Sequence, residues 1–194
     1  MAVNLEKGQR ISLEKEGGKG LSRVIMGLSW DSPTYPGFLG FGDTPSGAVD
    51  LDASCVLFDN DGKKKDVVWY RQLKSKDGSI RHTGDSMSGE GDGDDEQIVV
   101  DLLQVPESIK TLIFTVNSFK GHDFSTVKNA KCRLVNGING WEIASYNLST
   151  MGSHTGQLMC RVYRHNGEWK MHAIGDINNG KTFEDLLPLM EQYV

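Results

Sequence analysis

The chain has 194 residues, of which 38% are hydrophobic and 24% charged, and its formal net charge is −5. This size and composition are typical of one soluble domain, residues 1–194, that is large enough to bury a core. No apolar run approaches the ~18 residues of a membrane-spanning helix, and the first residues lack the apolar segment of a signal peptide. We therefore expect a cytoplasmic protein that does not insert directly into a membrane.

The first two thirds of the chain predict short strands separated by turns. Alternation around a glycine predicts two strands and a turn in VNLEKGQRISLEK, residues 3–15. Apolar segments rich in β-branched and aromatic residues predict further strands at 23–30, 51–59, 66–73, 97–103 and 110–118. Residues 32–49 contain three prolines and four glycines, which predicts a long loop.

The last third continues the β pattern and ends in a helix. A short helix is predicted in DFSTVKNA, and four strands are predicted in KCRLVN, GWEIASYNL, GQLMCRVYRH and EWKMHAIG. Asn166-Gly167 predicts a tight hairpin between the last two. Residues 182–194 predict a helix that Thr182 and Asp185 cap and that Pro188 kinks or restarts. The fold class that follows is mainly β, an antiparallel β-sandwich with a few short helices and a C-terminal helix.

The three cysteines are Cys55, Cys132 and Cys160. Their number is odd, they are widely spaced, and no C-x-x-C motif occurs. We expect reduced and mostly buried thiols, as in a cytosolic protein.

The acidity of the chain is concentrated in one stretch. Residues 85–96 contain six of the 26 acids and no Lys or Arg. The rest of the chain has 20 acids and 21 basic residues and is therefore nearly neutral. This surface disfavours a nucleic-acid partner, because phosphates would be repelled.

The segment GEGDGDDE, residues 89–96, combines five carboxylates with three glycines. Two carboxylates about 5.5 Å apart repel by about 3 kcal/mol at an effective dielectric constant of ~20, so these acids cannot all converge without a cation or raised pKa values. Glycines let the backbone turn carbonyl oxygens inward, and an all-oxygen ligand set suits calcium better than magnesium. A hydrated acidic loop without a ligand remains the alternative from this segment alone, since it matches no EF-hand.

A second group of acids favours the metal interpretation. Asp50 and Asp52 are two residues apart at the start of a predicted strand, so both point to one face. Asp31 follows the end of another strand. Acids at the ends of separate strands can meet at one end of a sandwich.

These motifs together resemble the TerD family of tellurium-resistance and stress proteins. The similarity rests on GLSWD (27–31), DLDAS (50–54), HTGD (82–85), GEGDGDDE (89–96) and YRHNGEWK (163–170), and it extends over nearly the whole chain. The resemblance implies a cytoplasmic, non-catalytic β-sandwich that binds calcium, with two or more ions expected. The resemblance also implies that the protein acts in assemblies with other stress-resistance proteins, including an integral membrane partner of the TerC type at the inner face of the membrane.

The resemblance also implies the calcium ligands. The family ligands lie in the two acidic motifs, with the acids of HTGD and GLSWD nearby. By match, the metal-site residues in this sequence are Asp31, Asp50, Asp52, Asp85, Glu90, Asp92, Asp94, Asp95 and Glu96. Two departures stand out, since Ser86 replaces the asparagine that usually follows HTGD, and the segment 32–49 is unusually long and apolar. Phe38, Leu39 and Phe41 in that segment are expected either to form a contact site or to fold onto the core.

A second motif suggests a different function. GDINNGKT, Gly175 to Thr182, matches the nucleotide-binding P-loop pattern and lies between a predicted strand and a predicted helix. A P-loop requires a parallel sheet with a further strand that brings an acid to the magnesium. Only twelve residues follow Thr182, and the preceding strand belongs to a hairpin. A nucleotide-binding enzyme that uses Gly175–Thr182 is therefore the alternative function.

Overall fold

The computed structural model describes residues 3–4, 6–18, 20–31, 34–36, 43–45, 49–86, 93–148 and 152–194. Strand residues predominate, with 52% against 12% helix, and they form two open sheets with a helix at the C-terminus. This confirms the predicted mainly β fold class and the sandwich with short helices.

The first sheet has six strands within the described residues. In spatial order they are β1 (Val3–Asn4), β12 (Glu142–Asn147), β11 (Lys128–Asn136), β3 (Arg23–Asp31), β9 (Glu96–Asp101) and β8 (Ile80–His82). β1 and β12 run parallel, and the other neighbours are antiparallel. In β9, Glu96, Ile98 and Val100 are buried while the residues between them are partly exposed, so one face of the sheet packs on the core and the other faces solvent.

The second sheet has six described strands and is antiparallel throughout. In spatial order they are β2 (Arg10–Ser12), β14 (Glu168–Asn178), β13 (Gly156–His165), β10 (Ile109–Ser118), β6 (Leu51–Asp59) and β7 (Lys64–Val68). Asn166 and Gly167 both have positive φ in the turn between β13 and β14, which confirms the predicted hairpin.

The core lies between the two sheets and contains large apolar side chains such as Trp30, Phe114 and Leu134, all at most 2% exposed. The three cysteines are free and buried, as predicted, and burial raises the pKa of the Cys132 thiol to about 12.

The C-terminal helix α2 (Phe183–Met190) covers the other face of the second sheet, where Phe183, Leu186 and Met190 form a smaller apolar cluster with strand residues. Because both faces of β6 are covered, all its residues from Leu51 to Phe58 are buried. Asp52, which lies within this buried run, is therefore withdrawn from water.

Two segments adopt a structure other than the predicted one. Leu13–Gly17 form the short helix α1 and do not continue a strand, because Leu13 is buried in the core and the Ser12 hydroxyl accepts from the Lys15 backbone N–H at 3.4 Å. The predicted loop 32–49 contains the paired strands β4 (Thr34–Pro36) and β5 (Asp43–Pro45). Phe38, Leu39 and Phe41 lie outside the described residues.

The predicted helices are otherwise present but shorter. The segment DFSTVKNA contains one 3₁₀ turn, Phe124–Thr126. In the C-terminal segment, α2 continues through Pro188 and passes into a 3₁₀ turn at Glu191–Tyr193. The proline therefore neither breaks nor restarts the helix, although the chain tightens within three residues of it.

Candidate metal centre

Three of the predicted acids converge at one end of the sandwich. Asp50 and Asp52 lie at the start of β6, and Asp85 follows β8 in the other sheet. One carboxylate oxygen from each lies within 4.8 Å of the other two, and these residues are the group within the described part of the chain that could hold a metal ion. We call Asp50, Asp52 and Asp85 the carboxylate cluster.

Two oxygens of the carboxylate cluster are buried and have no hydrogen-bond partner among the described residues. Asp50 is 8% exposed and Asp52 is 6% exposed. Asp52 accepts one backbone hydrogen bond from Phe119, but Asp52 Oδ2 and Asp50 Oδ1 accept none. Buried polar atoms are nearly always paired, and an unpaired charged one is costly. The cluster therefore has acceptor oxygens that only an additional group can satisfy.

Two carboxylates of the cluster, those of Asp50 and Asp52, resist ionisation. Burial, followed by the charges of Glu96, Asp50 and Asp85, raises the pKa of Asp52 to about 8. Burial also raises the pKa of Asp50, although the ammonium of Lys120, 3.6 Å from Asp50 Oδ2, acts in the opposite direction. Two carboxylate oxygens of the cluster lie within 4.8 Å of each other, and two ionised carboxylates at that distance repel by about 3.5 kcal/mol at an effective dielectric constant of ~20. A divalent cation would remove this repulsion.

Glu96 lies beside the cluster, but its carboxylate is used within the protein. Its side chain is fully buried, and Oε2 accepts from the Ala53 backbone N–H at 2.8 Å while Oε1 accepts from the Ser86 backbone N–H at 3.2 Å. His82 Nδ1 accepts from the Gly84 N–H, so the ring proton lies on Nε2, which is 3.3 Å from Glu96 Oε2. Glu96 thereby holds the start of β6 and the segment of Asp85 in place.

Asp94 lies on the solvent side of the first sheet and is bound by other residues. Its carboxylate accepts hydrogen bonds from Arg133 Nε at 2.7 Å, from Arg133 Nη2 at 3.1 Å and from Gln97 Nε2 at 3.0 Å. The side chain is only 3% exposed, because it sits directly on Gly27. A Cβ at that glycine would lie 2.2 Å from Asp94 Oδ2, so this bidentate pair requires a glycine in β3.

Asp95 and Asp31, two of the remaining predicted acids, are bound elsewhere in the described structure. Asp95 Oδ2 accepts from the Trp30 backbone N–H at 3.0 Å, and Asp31 Oδ2 accepts from Asn129 Nδ2 at 2.6 Å. Glu90 and Asp92 lie outside the described residues. Metal binding by Asp31, Glu90, Asp92, Asp94, Asp95 and Glu96 stays a prediction.

Lys120 is the residue of this region that the sequence did not indicate. It lies 68 to 70 positions after the two acids of β6, in the segment that follows β10. The pairing of Leu51 with Ser118 between β6 and β10 brings it beside Asp50. No local pattern in the sequence reports such a pairing.

The P-loop-like segment is closed to phosphate in this structure. The backbone N–H groups of Lys181 and Thr182 both donate to Asp185 Oδ2, at 2.8 and 3.1 Å, and the Gly180 N–H donates to Asn178 Oδ1 at 2.7 Å. A phosphate would need these donors. The preceding strand β14 pairs in antiparallel fashion with β13 and β2, unlike the parallel strand of a P-loop. The geometry therefore disfavours the nucleotide alternative.

Over the part of the chain that the structure describes, none of the helices is long and apolar enough to cross a bilayer.

Comparison with known proteins gives consistent matches over almost the whole chain. The family model of the TerD domain matches residues 1–193. The tellurium resistance protein TerZ of Serratia marcescens is 46% identical over 186 residues, which cover 95% of this chain and 94% of that protein. Stress response protein SCP2 of Bacillus subtilis (strain 168) is 40% identical over 200 residues, which cover 96% of this chain and 98% of that protein.

A solved structure supports the fold. The structure of a homologue of telluride resistance protein (TerD) from Streptomyces coelicolor A3(2) is similar to this chain with a TM-score of 0.70. The similarity covers 89% of this chain and 96% of that chain at 22% identity, so it supports the architecture alone.

Proposed function

Because the chain belongs to the TerD domain family, we propose that it is a calcium-binding, non-catalytic stress-response protein that acts as a scaffold or binding module in a larger assembly. Its homologues are tellurium resistance and stress response proteins. Under this proposal the protein is cytoplasmic, and its partners are other stress-resistance proteins, including an integral membrane partner of the TerC type.

The observation that carries the proposal is the pair of buried, unpartnered oxygens in the carboxylate cluster, Asp50 Oδ1 and Asp52 Oδ2. A water molecule would satisfy their hydrogen-bonding capacity but would leave the repulsion between the charges. A divalent cation satisfies both. The donors are all carboxylate oxygens, which select a hard cation, and calcium accepts six to eight oxygens in flexible geometry.

The residues around the cluster are arranged to keep its ligands in place. Asp52 lies in a strand that is covered on both faces and Asp50 directly precedes it, so the backbone position of Asp52 is fixed without the ion and that of Asp50 is held next to it. Glu96 ties β6 to the segment of Asp85 through the Ala53 and Ser86 N–H groups. When bound, calcium supplies charge neutralisation and a link between these segments. The acids of the glycine-rich segment, Glu90 and Asp92, would complete its shell or hold a further ion.

The non-catalytic part of the proposal rests on how the other reactive groups are used. Asp94, Asp95 and Glu96 are each bound to a guanidinium or to backbone N–H groups, so their charges support the structure. The three thiols are buried, and burial raises the pKa of each, so the nucleophilic thiolate is disfavoured. Calcium would instead order the loops at this end of the sandwich into a surface that partners contact.

The test is a calcium titration of the metal-stripped protein by calorimetry, followed by amide NMR. We expect saturable binding, with shifts at residues 50–53 and 84–86. Asp52→Asn should lower the affinity by at least about tenfold, because it removes one charged ligand. Asp61→Asn is the matched control, since Asp61 is exposed in the turn between β6 and β7 and should bind calcium as the parent does. No heat and no shifts in the parent at millimolar calcium would refute the proposal.

A further inference from the structure

A polar pocket of about 170 Å³ lies on the solvent face of the first sheet. Its lining includes Arg23, Lys74, Ser79, Arg81, Asp101 and Gln104; we call it the basic pocket. β9 begins with Glu96 beside the carboxylate cluster and ends with Asp101 in the basic pocket, a distance of about 17 Å along the strand. The two sites are therefore separate.

The basic pocket has an excess of positive charge. The single acid in its lining, Asp101, is already used, since it accepts from the Leu103 N–H at 3.2 Å and Gln104 Nε2 at 2.9 Å and lies 3.7 Å from Arg23 Nη2. Lys74 and Arg81 lie opposite each other in a β-bridge. Within the described residues, neither has a carboxylate oxygen within the 4.0 Å of an ion pair. Two like charges placed opposite each other are destabilising unless something neutralises them.

The lining of the basic pocket also contains two buried donors without a partner. Ser79 is 3% exposed, and its hydroxyl makes no hydrogen bond in the described structure, nor does the buried Arg23 Nε. The position of Ser79 is fixed, because its N–H donates to Asp77 Oδ1 at 2.7 Å and its C=O accepts from the Asp101 N–H at 2.9 Å. Buried donors without acceptors are rare in native proteins. These two donors therefore indicate an acceptor that the described residues do not provide.

We propose that the basic pocket binds a tetrahedral oxyanion, a phosphate group that is either free or carried by a small molecule. Arg23, Lys74 and Arg81 supply the charge, and the Ser79 hydroxyl supplies a neutral hydrogen bond. Guanidinium groups match the geometry of phosphate oxygens, and hydrogen bonds between ionised partners are about twice as strong as neutral ones. The pocket is large enough for a group much bigger than one water molecule.

The experiment is an NMR titration of the calcium-free protein with inorganic phosphate, at constant ionic strength set by chloride. We expect saturable shifts at the amides of Gly78, Ser79 and Arg81 and at the Arg23 Nε–H, with half-saturation at about 1 mM. The double variant Lys74→Gln/Arg81→Gln should weaken binding by at least about tenfold. Shifts that do not saturate up to about 20 mM phosphate, or that map elsewhere on the protein, would overturn the proposal.

Two further variants separate a specific site from a general charge effect. Arg10→Gln/Lys170→Gln removes the same charge from the outer face of the second sheet and should bind phosphate as the parent does; equal weakening in both double variants would overturn the proposal. Ser79→Ala should weaken phosphate binding severalfold while leaving the urea midpoint unchanged, because the hydroxyl that it removes has no partner among the described residues. Unchanged phosphate binding in Ser79→Ala would exclude that residue and overturn the assigned ligand set.

The same titration with glycerol 3-phosphate distinguishes the two sources of the phosphate group. Tighter binding than inorganic phosphate indicates a phosphorylated small molecule, and equal or weaker binding indicates free phosphate. Either result supports the oxyanion site, whereas failure to bind both compounds refutes it. The calcium titration is independent of this outcome, because it monitors the opposite end of β9.

Discussion

Replacing Asp52 with Asn is expected to stabilise the metal-free protein and, at the same time, to reduce its stabilisation by calcium. Asp52 is 6% exposed, one of its oxygens has no partner among the described residues, and Glu96, Asp50 and Asp85 are the acidic groups that raise its pKa. Without the ion, a negative charge at this position is a cost to the folded state. The amide of Asn is nearly isosteric and removes that charge.

The magnitude follows from the pKa of Asp52, which is about 8 in the folded protein against an ordinary value of 3.8. Between these two values the folded state holds a proton that the unfolded state has lost. The free energy of unfolding of the metal-free protein therefore falls as the pH rises from about 4 to about 8, by up to about 1.4 kcal/mol per pH unit. The cost reaches about 4 kcal/mol at pH 7 as an upper bound, and we expect Asp52→Asn to recover about 2 kcal/mol or more there.

The assay is urea denaturation of parent and variant at pH 5 and pH 8, each with and without calcium. Without calcium, the gain in the variant should be larger at pH 8 than at pH 5. At a calcium concentration of about 100 Kd of the parent, the parent gains about 2.7 kcal/mol, and a variant that binds at least tenfold more weakly gains about 1.4 kcal/mol or less. Asp61→Asn should change neither quantity. If Asp52→Asn destabilises the metal-free protein equally at both pH values, then Asp52 has a protein partner and the reasoning about its unpaired charge is wrong.

Three further predictions test other parts of the structure. Calcium binding should tighten by about tenfold per pH unit between pH 6 and about 8 and then level off, because Asp52, with a pKa of about 8, must lose its proton to bind the ion; calorimetry that shows a flat pH profile would contradict this. Gly27→Ala should lower the free energy of unfolding by about 2–3 kcal/mol in urea denaturation, because its Cβ would lie 2.2 Å from the Asp94 carboxylate. An unchanged urea midpoint would show that this carboxylate does not pack against the glycine. Asp185→Ala should lower the free energy of unfolding by about 1 kcal/mol through loss of the helix cap, measured as a lower Tm. In an ATP-binding assay, neither the parent protein nor Lys181→Ala should give a signal. An ATP signal in the parent that Lys181→Ala removes would restore the nucleotide hypothesis.

Much of the fold could be predicted because strand patterns are local. The segments 23–30, 51–59 and 110–118 were identified from their β-branched and aromatic residues, and each strand was placed to within one residue at either end. The errors fell where tertiary contacts override a short pattern. The residues after Ser12 alternate as a strand would, but burial of Leu13 and the Ser12 cap turn them into α1.

The candidate site could be predicted only in part. The sequence alone determined which residues are acidic and that they cluster in two motifs near predicted strand ends, and it suggested a cation as one way to neutralise them. It could not separate the acids that meet from those that are used elsewhere, and it gave no sign of Lys120 or of the basic pocket.

The tertiary structure decided those assignments. Asp94 belongs to the same acidic motif as Glu96, yet its side chain lies on the solvent face of the first sheet, where Arg133 binds it. Asp50, Asp52 and Asp85 are brought together across two sheets, because the order of the strands and their register determine which distant residues become neighbours. The strands follow from side-chain alternation within a few residues, whereas the cluster depends on contacts between residues 33 or more positions apart.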